Sequence, residues 1–99
     1  MIIVLGSVIA RPDCLPALLD AAREHVRRSR GEPGCLAHAV HVDHENPLRL
    51  VFVEKWTDEN ALAAHFRLPA SIGFVKTARA LATGEPVIEV FAAPPLSRR

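Results

Sequence analysis

Residues 35–56 have the sequence CLAHAVHVDHENPLRLVFVEKW, which contains the most telling local pattern of the chain. Residues 35–44 and 48–56 are two runs of mostly apolar and β-branched side chains, a composition typical of strands. Between them lie Glu45, Asn46 and Pro47, which favour a turn. The segment is therefore predicted to form an antiparallel β-hairpin.

On the N-terminal side of the hairpin, the sequence predicts a strand followed by a helix. Residues 2–10 are rich in β-branched side chains, and Arg11 and Pro12 end that run. Asp13 is predicted to cap a helix in which Pro16 still falls within the first turn, where a missing N–H does no harm. Apolar residues then follow helical spacing up to a break at residues 31–34, namely Leu15, Leu18, Leu19, Ala22 and Val26.

On the C-terminal side, the sequence predicts an interrupted helix and a last strand. Thr57 is the predicted cap of a helix that places Leu62, His65 and Phe66 on one side. Pro69 interrupts this helix, and apolar residues resume at helical spacing after it. Residues 84–86 end the helix, residues 87–93 form a strand, and residues from about 94 to 99 are a tail.

The predicted order is β-α-β-β-α-β, which is the ferredoxin-like α+β fold with one antiparallel sheet and both helices on one face. A length of 99 residues corresponds to one domain spanning the chain. The strands are apolar on both faces, since Leu50 and Phe52 oppose Val51 and Val53. A bare apolar face is uncommon, so we expect a homodimer formed through the open face of the sheet.

Composition narrows the classes of partner. The 12 Lys and Arg residues nearly balance the 11 Asp and Glu residues, which argues against nucleic-acid binding. Cys14 and Cys35 form neither a zinc motif nor a disulfide framework. Residues 1–10 are too short to span a membrane and lack a signal-peptide pattern. We therefore expect a cytoplasmic protein with no membrane partner.

Three histidines on the second predicted strand raise the question of a metal site. On a strand, His38 and His44 would lie about 20 Å apart, because each residue rises ~3.3 Å. His41 would point to the other face. Metal ligands must converge within bonding distance, so no metal is expected at these residues.

His65, Glu54 and Trp56 are the candidate catalytic residues. His65 shares a helix side with apolar residues that face the sheet, and imidazole suits proton transfer near neutral pH. It is either a general base or a core histidine that holds helix to sheet. Glu54 and Trp56 project from one strand face, where the carboxylate needs a partner, for which we expect His65. Trp56 is either a pocket wall or the largest core side chain.

Three short motifs occur in order along the chain: Glu32-Pro33-Gly34-Cys35 before the hairpin, Glu54-Lys55-Trp56 at its end, and the sequence ALAAHF at residues 61–66. Together they resemble the antibiotic biosynthesis monooxygenase family. The resemblance implies a dimeric ferredoxin-like barrel with a pocket between sheet and helices in each subunit. It also implies oxygenation of phenols, quinols or polyketide anthrones without metal or flavin.

Oxygenation without a cofactor requires a base, an apolar cavity and a hydrogen-bond donor, because only an electron-rich anion passes an electron to ground-state oxygen. The first hypothesis is a cofactor-independent monooxygenase of a small aromatic substrate, with His65 as base. The residues predicted to bind substrate are Ser7, His38, Phe52, Phe66 and Phe74. The alternatives are a dimeric binding or accessory module without turnover, and a non-oxidative isomerase or cyclase that uses the same base.

Overall fold

The computed structural model describes residues 1–97, so Arg98 and Arg99 of the predicted tail lie outside the described residues. Its sheet contains four strands: β1 (Ile2–Ile9), β2 (Cys35–Asp43), β3 (Asn46–Trp56) and β4 (Val87–Ala92). They lie in the order β2-β3-β1-β4, and every neighbouring pair is antiparallel. The predicted ferredoxin-like α+β fold is therefore confirmed.

Three helices pack on one side of this sheet: α1 (Leu15–Ser29), α2 (Glu59–Arg67) and α3 (Pro69–Leu81). The predicted break at Pro69 separates α2 from α3. Leu68 between them has φ −64° and ψ 135°, an extended conformation that the following proline favours on steric grounds. No helix within residues 1–97 is long and apolar enough to cross a membrane.

Both predicted helix caps are wrong by one residue. A 3₁₀ turn at Pro12–Cys14 precedes α1, so Cys14 rather than Asp13 is the cap residue, and it makes no side-chain capping bond. At α2 the cap is Asp58 rather than Thr57, and its carboxylate accepts a 2.8 Å hydrogen bond from the Ala61 N–H. Adjacent polar residues compete for the same role, and a carboxylate also complements the helix dipole.

The hairpin turn comes slightly earlier than predicted. The residues between β2 and β3 are His44 and Glu45, and the Asp43 carboxylate accepts a 2.8 Å bond from the Glu45 N–H. Pro47 is the second residue of β3 rather than part of the turn. A proline near the start of a strand is tolerated because its missing N–H interrupts little of the ladder.

The core lies between the sheet and the helices in two clusters of buried side chains. The larger cluster joins α1 and α3 to the middle of the sheet, and its buried members are Val8, Ala10, Leu18, Ala22, Val26, Leu50, Phe52, Ala78 and Ala82. The smaller cluster joins α2 to one end of the sheet through Ile2, Val4, Trp56 and Leu62. Between these clusters, the interior contains polar side chains instead.

The opposite face of the sheet carries no helix. Register and alternation place apolar side chains there, and we call this surface the open sheet face: Ile3, Leu5, Ile9, Val51, Val53, Val87 and Phe91. Leu5 is 39% exposed and Phe91 is 46% exposed in the single chain. The apolar face that the strand pattern predicted is thus present, and the dimer itself stays a prediction.

Candidate active site

A cavity of about 200 Å³ lies between the sheet and the helices, bordered by Val8, Phe52 and Ala78 of the larger core cluster. Aromatic side chains form much of its wall, and Phe52, Phe66 and Phe74, all predicted to bind substrate, meet there. Phe52 and Phe74 approach edge to face with ring centroids 5.8 Å apart. Besides this aromatic wall, the cavity has a polar end formed by His25, Glu54, His65 and Ser71, and Ser7 and Arg79 line it as well.

His65 on α2 lines this cavity and is held by a carboxylate. Its Nδ1 lies 2.7 Å from Oε1 of Glu32 and 3.4 Å from the Ser71 hydroxyl. Its side chain is only 2% exposed. The predicted partner was Glu54, and the observed partner is Glu32, which comes from the turn before β2. A carboxylate on Nδ1 fixes the ring orientation and favours the tautomer with its lone pair on Nε2.

The turn at residues 31–34 brings Glu32 under α2. Gly34 has φ +82°, a conformation that favours glycine, and its carbonyl accepts a 2.9 Å bond from the Thr57 N–H. A side chain at position 34 would collide with Ala61 of α2. The absence of a Cβ therefore lets the turn approach the helix that carries His65.

Glu54 on β3 is buried and engaged by two other groups. Its Oε1 accepts a 2.9 Å hydrogen bond from the indole N–H of Trp56, and it lies 3.4 Å from Nε2 of His38. Burial alone would raise the pKa of Glu54, but the contacts with His38 and Trp56 outweigh it and hold the pKa below its usual value. Glu54 is therefore a carboxylate within the site.

Two predicted site residues, Trp56 and His38, do not line the cavity, and a third, Ser7, lines it without directing its side chain into it. Trp56 is fully buried in the smaller core cluster, and its ring stands 4.7 Å from that of His65, behind the wall. Ser7 borders the cavity, but it pairs with Val51 and Val87, and this register places its side chain on the open sheet face. Trp56 positions Glu54, whereas the hydroxyl of Ser7 points away from the aromatic wall.

The structure adds His25, a site residue that the sequence analysis did not identify. It lies on α1, and its ring stacks on Phe74 with centroids 4.3 Å apart and planes within 9°. Its ring centroid is 5.3 Å from that of His38 and 5.2 Å from that of His65. Burial, with the neighbouring His38 and His65, lowers the pKa of His25 to about 3, so its ring is neutral at physiological pH.

The three histidines of β2 and its turn differ in burial. His38 is on the helix-facing side of the sheet, with a side chain of 0% exposure, while His41 and His44 are exposed. Only His38 joins the interior group. His25, His38 and His65 come from α1, β2 and α2, and we call them the histidine cluster. The cluster and its carboxylates can accept and hold a proton from a molecule in the cavity.

Comparison with known proteins decides the family. The sequence model of the antibiotic biosynthesis monooxygenase family matches residues 1–77. The chain belongs to this family. A crystal structure of an antibiotic biosynthesis monooxygenase is 29% identical, with a TM-score of 0.89 over 96% of this chain and 100% of that one. These matches support a monooxygenase as the broad class of activity.

Two further relatives were found, one by similarity of structure and one by similarity of sequence. A candidate antibiotic biosynthesis monooxygenase from Deinococcus radiodurans is 23% identical and superposes with a TM-score of 0.93 over 100% of this chain and 98% of that one, which shows the shared fold. An uncharacterised protein of a Synechocystis strain is 27% identical over 90 residues. The match covers 91% of this chain and 61% of that curated relative.

Proposed function

We propose that this protein is a monooxygenase that oxidises a small phenol, quinol or polyketide-type aromatic, with His65 as the general base and without metal or flavin. The observation that carries the proposal is the pair of His65 and Glu32, 2.7 Å apart at one end of a cavity walled by phenylalanines. The family supports the broad class of reaction. The site supports the substrate class and the residues.

Cavity size favours an aromatic substrate of one or two rings. The cavity holds about 200 Å³, and an apolar cavity of roughly 150 Å³ in another protein accommodates benzene. Phe52, Phe66 and Phe74 offer ring faces and edges for stacking. A flat, electron-rich ring would therefore fill the apolar side and present its hydroxyl to the polar end.

The polar end is suited to removing a proton. With Nδ1 of His65 bound to Glu32, Nε2 is the nitrogen that we expect to take the proton of a substrate hydroxyl. The Glu32 carboxylate then stabilises the imidazolium that forms. His65 is almost fully buried and Glu32 is partly buried, and this limited access of water strengthens their interaction until the substrate anion reacts with oxygen.

The oxygen step needs no further reductant. The phenolate passes one electron to O₂, and the two radicals combine into a carbon–oxygen bond at a ring carbon that bears hydrogen. The O–O bond and that C–H bond of the peroxide anion then break to leave a quinone carbonyl and hydroxide. One oxygen atom enters the product and the other leaves as water, and the substrate supplies all of the electrons. His65 returns the proton that the leaving hydroxide requires.

Oxygen uptake tests this assignment. The protein, stripped of metals, is incubated with a panel of phenols, quinols and anthrones, and His65→Gln is compared with His44→Gln, which changes an exposed turn residue. Loss of a general base should slow uptake about 10²–10⁴-fold, while the control keeps the wild-type rate. Wild-type uptake at the spontaneous rate for every substrate would refute the proposal.

The near-complete burial of His65 favours one alternative, a binding module in which the contact with Glu32 gives His65 a purely structural role. In that case substrates would bind without turnover. A ligand that saturates the cavity by fluorescence or calorimetry, with no change in its oxidation state or isomeric form, would identify the module. Conversion to an isomer without oxygen uptake would identify an isomerase or cyclase.

We also propose that the protein forms a homodimer through the open sheet face. The support is the apolar character of that face, on which Val87 is 55% exposed and Phe91 is 46% exposed in the single chain. Clustered apolar side chains on an uncovered face mark interaction sites in soluble proteins, and the register places Lys55 and Glu89 among them. A second copy of the same sheet is the simplest cover, because a two-fold axis pairs like with like.

A further inference from the structure

The three members of the histidine cluster converge inside the protein from three separate elements. One ring nitrogen from each of His25, His38 and His65 lies within 4.8 Å of the other two, and all three residues are buried. His25 and His65 line the cavity, and His38 lies behind them against Glu54. Such convergence requires α1, β2 and α2 to be packed, so no local sequence motif encodes it.

His38 supplies an independent indication of a ligand. Both of its ring nitrogens are buried, and neither has a hydrogen-bond partner within residues 1–97. Nε2 lies 3.4 Å from Oε1 of Glu54, a contact that does not meet the geometry of a hydrogen bond. Buried polar groups without a partner are rare because desolvation is costly. A bound ion that accepts the lone pair of His38 would satisfy the group.

The three ring nitrogens could bind one metal ion if they moved slightly closer together. An ion at the centre of a triangle with 4.8 Å sides lies about 2.8 Å from each corner, and zinc binds histidine nitrogen at ~2.0–2.1 Å. Each nitrogen would therefore move by less than about 1 Å, which rotation of the rings can provide. Glu32 on Nδ1 of His65 is the outer carboxylate that metal-binding histidines usually have.

We propose that His25, His38 and His65 form a three-histidine site for a divalent transition metal ion of the Zn²⁺ or Co²⁺ type. Three imidazoles select ions of this class over Mg²⁺ or Ca²⁺, which take oxygen ligands. The Glu54 carboxylate beside His38 partly balances the charge of the ion. The cavity, which His25 and His65 line, leaves room for a fourth ligand.

One consequence rests on the proposed function. The lone pair of His65 that would accept the substrate proton is the same lone pair that would bind the metal. Metal and proton therefore compete, and a filled site lowers the rate of the metal-free reaction. The site would then act as an inhibitory metal switch within the active site.

Metal titration tests the site by itself. Tag-free protein, dialysed against chelator and then against buffer, is titrated with Zn²⁺ by calorimetry and with Co²⁺ by visible absorption. We expect one ion per chain and the visible bands of four-coordinate cobalt. His25→Gln should weaken binding at least about 100-fold through loss of a ligand, whereas His41→Gln, at an exposed histidine of β2, should bind like wild type.

Folding of each variant is checked by thermal denaturation, and His65→Gln serves as a second ligand variant should His25→Gln fail to fold. No stoichiometric binding to the wild-type protein would overturn the proposal. Equal affinity in wild type and in a folded ligand variant would also overturn it.

A second arm separates this proposal from the proposed function. Oxygen uptake is followed while Zn²⁺ is added, and inhibition in step with occupancy supports competition at His65. A rate that is unchanged or raised at full occupancy overturns the competition, although the calorimetric site stands. Absence of uptake by the metal-free protein refutes the proposed function, and the cobalt spectrum still decides whether the site exists.

Discussion

Replacing Gly34 with alanine should destabilise the protein and misplace the catalytic pair at the same time. Gly34 has φ +82°, and a Cβ built there would lie 2.5 Å from the Cβ of Ala61 and 2.7 Å from the Thr57 hydroxyl. Real Cβ atoms do not approach so closely, so the turn or α2 must move. Glu32 lies in this turn and His65 lies on α2, so the movement would lengthen their 2.7 Å contact.

The expected loss in the free energy of unfolding of Gly34→Ala has two parts. A left-handed backbone costs an alanine roughly 1–2 kcal/mol, and relieving an overpacked contact costs roughly 1–3 kcal/mol more. The expected loss is therefore about 2–5 kcal/mol, a large share of the 5–15 kcal/mol that is typical of domains. Alanine variants at two other glycines distinguish the backbone contribution from the steric contribution. Gly84 has φ +76° with open space around its Cβ position, and Gly73 lies inside α3 with open space and no positive φ.

The assay is urea unfolding followed by circular dichroism, with oxygen uptake measured on the same samples. We expect Gly84→Ala to lose only the backbone part, about 1–2 kcal/mol, and Gly73→Ala to gain about 0.5–1 kcal/mol, since alanine favours helix. Activity should fall in Gly34→Ala alone. A stability of Gly34→Ala equal to that of Gly84→Ala would refute the steric argument, and unchanged activity would refute the role given to the turn.

Three further predictions concern the core, the pH response and the open sheet face. Trp56→Phe removes the donor to the buried Glu54 carboxylate and should cost about 2–4 kcal/mol in urea unfolding; a loss below 1 kcal/mol would contradict it. The pKa of His25 is about 6.5 in the unfolded chain and about 3 in the folded chain. The contribution of neutral His25 to the free energy of unfolding should therefore be fully present above pH 6.5 and be lost as the pH falls towards 3. His25→Phe should make this fall with pH shallower, and an unchanged pH dependence would contradict the assignment to His25. Phe91→Glu places a charge on the open sheet face and should convert dimer to monomer in analytical ultracentrifugation, whereas an unchanged mass would contradict the proposed interface.

The sequence predicted the fold well because its strands and helices carry regular apolar periodicity. The hairpin, the break at Pro69 and the order of helices and strands along the chain follow from patterns within a few residues of each other. The caps were harder, because neighbouring polar residues such as Thr57 and Asp58 fit the same role and only the final geometry selects between them.

The site was less predictable because its contacts are long-range. His65 and Glu32 are 33 residues apart in sequence, and their pairing depends on how closely the turn packs against α2. Glu54 was the nearer choice by strand face, but Trp56 and His38 already occupy it. Sequence patterns indicate which face of a strand or helix a residue occupies, but they do not indicate which of two acids will contact His65.

His25 did leave a detectable signal. It follows Ala22 by three residues and Leu18 by seven, which places it on the apolar side of α1. A histidine on such a side is buried on folding, so it needs a partner or a ligand. A polar, titratable side chain on an apolar helix face is thus a signal of a site residue.

Isotope labelling tests the central claim, monooxygenation at the His65 site, most directly. A substrate that supports oxygen uptake is converted under ¹⁸O₂ in ordinary water, and the product is analysed by mass spectrometry against a parallel reaction in labelled water that corrects for exchange. We expect one ¹⁸O atom in each product molecule, and loss of this labelled product in His65→Gln but not in His44→Gln. A product that carries no ¹⁸O, or labelling that persists in His65→Gln, would contradict this claim.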